Sequence, residues 1–160
     1  MGWPENGRLP RERPEAIRGL TFFRDRTLPD PANTGVLGFG LGGALALWMA
    51  LRHGGTFGRF ACLSTCFEDL SADPPDECEL IRLIEHSHPS QGNRIYFDHG
   101  TLLGDVSAEI YHQRATAALE RKGLVRGRDF TVNVADGAEH SITAWRARLG
   151  AALIFLFGKR

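Results

Sequence analysis

Residues 33–51, "NTGVLGFGLGGALALWMAL", carry no charge and place five glycines between positions 35 and 43. A run of this length is long enough to suggest a membrane-spanning helix, with Gly38 and Gly42 at the spacing of small-residue helix contacts. Each glycine, however, costs a helix interior about 1 kcal/mol relative to alanine. A short apolar strand at Gly35–Phe39, a tight turn, and a helix from Gly42 to Arg52 account for the same letters without that penalty. A membrane span is therefore not expected.

The rest of the chain repeats this alternation. "GRFACLS" (58–64), "RIYFDHG" (94–100) and "DFTVNVA" (129–135) read as further strands, the last with Phe130, Val132 and Val134 facing inward. Between them a helix is expected at Glu77–Glu85. Another is expected at Ser107–Lys122, where Ala108, Tyr111, Ala115, Ala118 and Leu119 recur at helical spacing. A last helix, Thr143–Phe157, places Trp145, Leu149, Leu153 and Leu156 on one side. Strands alternating with helices imply an α/β fold: a mostly parallel sheet of about four strands with helices on both faces. Residues 1–28 form a proline-containing lead-in with one short helix, Glu15–Arg26. The 160-residue length suits a single domain over residues 29–160.

Ligands of such sheets bind at the carboxyl ends of the strands, which is where "GFGLGG" (38–43) lies. Gly38, Gly40 and Gly43 match G-x-G-x-x-G, a dinucleotide-binding turn. That reading needs an acidic residue about 20 residues on, at the end of the next strand. The chain has Ala61, Cys62 and Leu63 there, and Glu68 and Asp69 fall beyond the strand. The same letters match G-x-S-x-G, the turn that presents a catalytic serine, except that Gly40 stands where the serine would be. This second reading requires an acid and then a histidine on later loops of the same rim. Asp105 follows the third strand and His140 follows the fourth, in "DGAEHSITAW".

"DPANTGVLGFGLGGALALWMALRHGGTFGRFACLS", "RIYFDHGT" and "DGAEHSITAWRARLGAALIFLF" together resemble the putative-esterase branch of the α/β-hydrolases, which includes enterochelin esterases, esterase D and feruloyl esterases. The resemblance spans about residues 29–160 and implies the C-terminal half of that fold. By position it makes His140 the base, Asp105 the acid with Asp98 and Asp136 as fallbacks, Gly40 the nucleophile position, and the Leu41 backbone N–H an oxyanion donor. It implies carboxylic-ester hydrolysis with no cofactor. Two departures imply impairment. Gly40 has no side chain to acylate, and only 34 residues precede the elbow strand, so the segment that supplies a second oxyanion donor is expected to be missing. The alternative is a non-catalytic binding or interaction protein, or an inactive remnant.

Nineteen basic and nineteen acidic residues cancel, and the arginines of the lead-in alternate with acids, so nucleic acid is not an expected partner. Three cysteines, Cys62, Cys66 and Cys78, and no signal-like segment fit a cytoplasmic chain. Cys62 is expected in the sheet core and Cys66 on the next loop, so neither sits on the elbow. His86 and His88, with His99, could supply metal-binding nitrogens, but their H-x-H lies in a polar loop without a paired carboxylate motif, and no metal is expected. The strand at Gly35–Phe39 would form an apolar sheet edge, which predicts a homo-oligomer paired through it.

Overall fold

The computed structural model describes residues 30–67 and 78–158. The helix expected at Glu15–Arg26 and the beginning of the one expected at Glu77 lie outside the described residues. A 3₁₀ turn at Pro31–Asn33, capped by the Asp30 carboxylate, leads into β1 (Gly35–Phe39). There follow α1 (Leu41–Arg52), β2 (Arg59–Leu63), α2 (Glu79–His86), β3 (Arg94–Gly100), α3 (Ala108–Arg121), β4 (Phe130–Ala135) and α4 (Ile142–Phe157). The four strands form one parallel sheet in the order β1-β2-β3-β4.

Strand pleating divides the side chains between two cores. Phe60 and Cys62 of β2, Ile95 and Phe97 of β3 and Phe130 of β4 pack with α1, α2 and α3 in one cluster. Ala61, Leu63 and Tyr96 turn the other way and pack against Ala152 and Leu156 of α4, with Phe39, Trp145 and Phe155 around them. Every β2 residue is buried, as expected for a strand with a neighbour on each side and helices on both faces.

The apolar face read for α3 is the buried one: Ala108, Tyr111, Ala115, Ala118 and Leu119 all face the core. Two other expectations require correction. Val134 is 53% exposed, because β4 is an edge strand with no further strand of the described sheet beside it. The buried face of α4 is Arg148, Ala152 and Leu156, with Leu153 exposed. An arginine takes the central place on that face because a carboxylate lies beneath it.

His112 of α3 lies inside the larger core. It is 2% exposed, stacks on His99 with ring centroids 4.8 Å apart, and meets Phe67 and Phe97 edge-on. Its Nδ1 donates to the Ala108 carbonyl at 3.0 Å. Burial, reinforced by His99, pushes its pKa down to about 3 from the ordinary 6.5. Well above the ordinary value the imidazole is neutral in both states and places no penalty on folding. Below it the unfolded chain takes up a proton that the folded chain refuses, so stability falls with pH by about 1.4 kcal/mol per unit until about pH 3. Urea unfolding at about pH 6.5 and about pH 5 should differ by about 2 kcal/mol on this account. His112→Phe should remove most of that difference; an unchanged slope would assign it elsewhere.

Candidate active site

The chain leaves β1 through Gly40, whose backbone (φ 55°, ψ −118°) lies in a region that side-chain-bearing residues rarely occupy. The turn is sharp. The Gly40 N–H still pairs with the Leu63 carbonyl at 3.0 Å, as a strand residue would, and the Gly40 carbonyl already accepts from Ala44 N–H in the first turn of α1. Gly38 permits the reversal, because a Cβ there would collide with the backbone of Gly42. Leu41 opens α1, so its N–H is among the helix-start donors that point out at the rim.

Two loops close over this turn. The loop after β3 carries Asp105, and the loop after β4 carries His140 immediately before the Ser141 cap of α4. His140 Nδ1 lies 2.7 Å from Asp105 Oδ1. A Cβ on residue 40 would stand 3.2 Å from His140 Nε2. The imidazole therefore faces the carboxylate with one nitrogen and the turn with the other.

Asp105 is 1% exposed, and its second oxygen accepts from the Ser64 hydroxyl and from Gly100 N–H, both at 2.6 Å. Burial alone would raise its pKa. The hydrogen bonds from Ser64, Gly100 and His140 outweigh that effect and hold the carboxyl below its ordinary range. An ionised carboxylate only accepts, so the proton of the His140–Asp105 bond sits on Nδ1 and, in the neutral ring, the lone pair of Nε2 faces Gly40.

Behind Asp105 lies a buried polar network. Ser64 Oγ donates to Asp105 and accepts from Trp145 Nε1 and Arg148 Nη2, each at 2.8 Å. Arg148 also grips Asp98, through Nε to Oδ2 at 3.0 Å and Nη2 to Oδ1 at 3.2 Å. Burial pushes the Asp98 carboxyl above its ordinary value, and Arg148 pulls against that shift. Ser64 itself has φ 42°, the one positive φ among the described residues other than glycine, held by hydrogen bonds from its N–H to the Asp98 carbonyl and carboxylate. Ser64→Ala would orphan donors on Trp145 and Arg148 inside this network, an expected loss of about 3 kcal/mol in urea unfolding.

The structure thus brings Gly40, Leu41, Asp105 and His140 to one place. Of the two fallback acids, Asp98 is engaged by Arg148 and Asp136 bonds Thr101 Oγ1 at 3.0 Å. Ser64 and Arg148 escaped sequence reading, and Trp145 was read only as a core residue; the visible signal was a charge, Arg148, at helical spacing from Trp145 and Ala152. Cys62 is sealed in the core as expected, and burial pushes its thiol up. Cys66 is off the turn in sequence but beside it in space, with its Sγ 3.6 Å from a Cβ on residue 40. His99 stacks on His112 inside the core, and among the described residues no group of three metal-ligating side chains is placed to hold an ion. No described helix is long and apolar enough to cross a membrane.

A cavity of about 290 Å³ is bordered by His140 and Leu41. Its walls are mainly apolar, from Leu41, Phe67, Ala108 and Tyr111, with Thr65 and Cys66 at the inner end of the loop after β2.

A parallel sheet that turns sharply from strand to helix, with later loops converging on that turn, is the architecture of the α/β-hydrolases. Within that class the chain belongs to the Putative esterase family, whose model matches residues 23–156. Among solved structures it is similar to the enterobactin esterase FES from Shigella flexneri, crystallised with enterobactin (21% identity, TM-score 0.71, covering 88% of this chain and 34% of that one). It is also similar to a ferulic acid esterase (16%, TM-score 0.66, covering 88% and 58%). The S-formylglutathione hydrolase FrmB from Staphylococcus aureus is a further match (15%, TM-score 0.60, covering 89% and 59%). The chain therefore spans between about a third and three fifths of the length of these structures. No curated protein sequence matches it.

Proposed function

We propose that this chain carries the acid–base half of an ester-hydrolase site, with His140 as base and Asp105 as its orienting acid, and that Gly40 removes the serine step. The observation that carries the reading is the placement of His140: Nδ1 lies 2.7 Å from Asp105, while Nε2 lies 3.2 Å from where a side chain on residue 40 would begin. A serine at that position would have its hydroxyl within reach of a base already oriented to take its proton. The Leu41 N–H, at the start of α1, is the donor for a developing oxyanion. The apolar cavity suits a small carboxylic ester with an apolar or aromatic acyl group, in keeping with the esterase names of the similar structures.

Hydrolysis of p-nitrophenyl acetate by the chain as it stands, by Gly40→Ser and by Gly40→Ser with His140→Ala tests the reading. The serine variant should gain activity, and the gain should vanish with His140. A folded serine variant that gains nothing would leave this rim to a binding role, and a gain indifferent to His140 would remove His140 as its base.

A further inference from the structure

We propose that Cys66 is a nucleophile of this site: its thiol accepts an acyl group from an activated carboxylic ester, with His140 as its base. The inference deepens the preceding reading and rests on it for the role of His140.

Three placements support it. The loop after β2 is fastened to the turn, because Cys66 N–H donates to the Gly40 carbonyl at 3.1 Å. From that loop the thiol and the imidazole flank one point: a Cβ on residue 40 would lie 3.6 Å from Cys66 Sγ and 3.2 Å from His140 Nε2. That is the region from which a serine would attack. Both residues also line the 290 Å³ cavity, together with Leu41. A carbonyl carbon held there is open to sulfur on one side, with the helix-start N–H of Leu41 nearby. Thr65, 3% exposed, lines the same cavity, and its hydroxyl has no hydrogen-bond partner among the described residues. It is a buried polar group that a ligand oxygen would satisfy.

The other cysteines lack this setting. Cys62 is fully buried in the sheet. Cys78 is 4% exposed, and its S–H donates to the Phe67 carbonyl. Cys66 is half-buried, forms no disulfide and shares with His140 the space beside Gly40. A partly exposed thiol beside a proton acceptor is the setting that makes cysteine reactive.

In the acylation step Sγ attacks the carbonyl carbon, the thiol proton passes to His140 Nε2, and the carbon–oxygen bond to the alcohol breaks. The alcohol leaves as its anion while His140 releases that proton to solvent, or, if it is a poor leaving group, takes that proton from His140; either way the imidazole is neutral before the second step. In the second step water adds to the thioester and gives a proton to His140, the carbon–sulfur bond breaks, and the sulfur leaves with the proton, regenerating the thiol and releasing the carboxylic acid.

Incubation with p-nitrophenyl acetate, followed by intact-mass analysis and peptide mapping, tests the proposal. One acetyl group should appear on Cys66, and none on Cys66→Ala at that rate. Acetylation of Cys66 should be faster in the folded protein than in the same protein in urea, and His140→Gln should slow it at least about tenfold. A folded protein that acetylates elsewhere, a Cys66 that reacts faster in urea, or a Cys66 rate indifferent to His140→Gln overturns the proposal. The urea comparison uses the unaltered chain and stands even if a variant fails to fold. Gly40→Ser in a Cys66→Ala background separates the two readings: a gain there, with no acetyl on Cys66 in the parent, keeps the acid–base site and removes the thiol.

Discussion

Arg148→Ala should lower the unfolding free energy by about 3–5 kcal/mol, the range for removing one partner of a buried ion pair. The guanidinium holds both oxygens of Asp98, which is 0% exposed, and one of its nitrogens also reaches Ser64 Oγ. Without it the Asp98 charge would remain buried with only the Ser64 N–H as a partner from this network. Burial already raises the Asp98 pKa, and the variant would raise it further. The folded state would then bind a proton more readily than the unfolded chain, so the loss should be greatest near pH 7 and shrink as pH falls through the raised value. Urea melts of parent and variant at about pH 7 and about pH 5 check both size and sign. Replacing Asp98 by asparagine together with Arg148→Met should recover much of the loss, because no unpaired charge is then left inside.

Gly40→Ser should raise ester hydrolysis by about 10³-fold while lowering stability by about 1–3 kcal/mol. The rate figure follows from two opposing effects. A nucleophile in an assembled triad is worth about 10⁶, and a misplacement of the new hydroxyl by about an ångström beside the imidazole takes back about 10² to 10³. The stability cost comes from the backbone, because a non-glycine residue at φ 55°, ψ −118° is strained. The new Cβ would also press on His140 Nε2 at 3.2 Å. The His140 side chain is 27% exposed and can yield by a few tenths of an ångström, so the variant should fold. Initial rates with p-nitrophenyl acetate and a thermal melt measure the two effects on one sample. A rate gain without loss of stability would mean that the turn relaxes in the variant, and the angle of attack with it.

Much of this was readable in the chain because it is local. Glycines crowded into an uncharged run can form β1, a turn and α1 but make a poor single helix, and the three-and-four spacing in α3 marks the side that is buried. That His140 and Asp105 would meet could be anticipated from chain order and the family resemblance, since each follows a strand on the same rim, although Asp98 and Asp136 competed for the acid's place. Arg148 was not. A charge in a helix is ordinarily solvated, and what keeps this one buried is Asp98, 50 residues earlier on the same face of the sheet. Ser64 joins them because pairing of Leu63 with Asp98 brings the end of β2 beside β3. Cys66 looked irrelevant for a related reason: sequence places it 26 positions after Gly40, while the fold places its N–H on the Gly40 carbonyl.

The network that orients His140 is also part of what holds β2, β3 and α4 together. Selection for a folded chain would therefore preserve the base and its acid whether or not the site turns over any substrate. For glycine codons ending in a pyrimidine, a single base change yields serine. A lineage carrying this fold can exchange the residue at position 40 and retain the network around it, so gaining a serine there would require one step rather than the rebuilding of its surroundings.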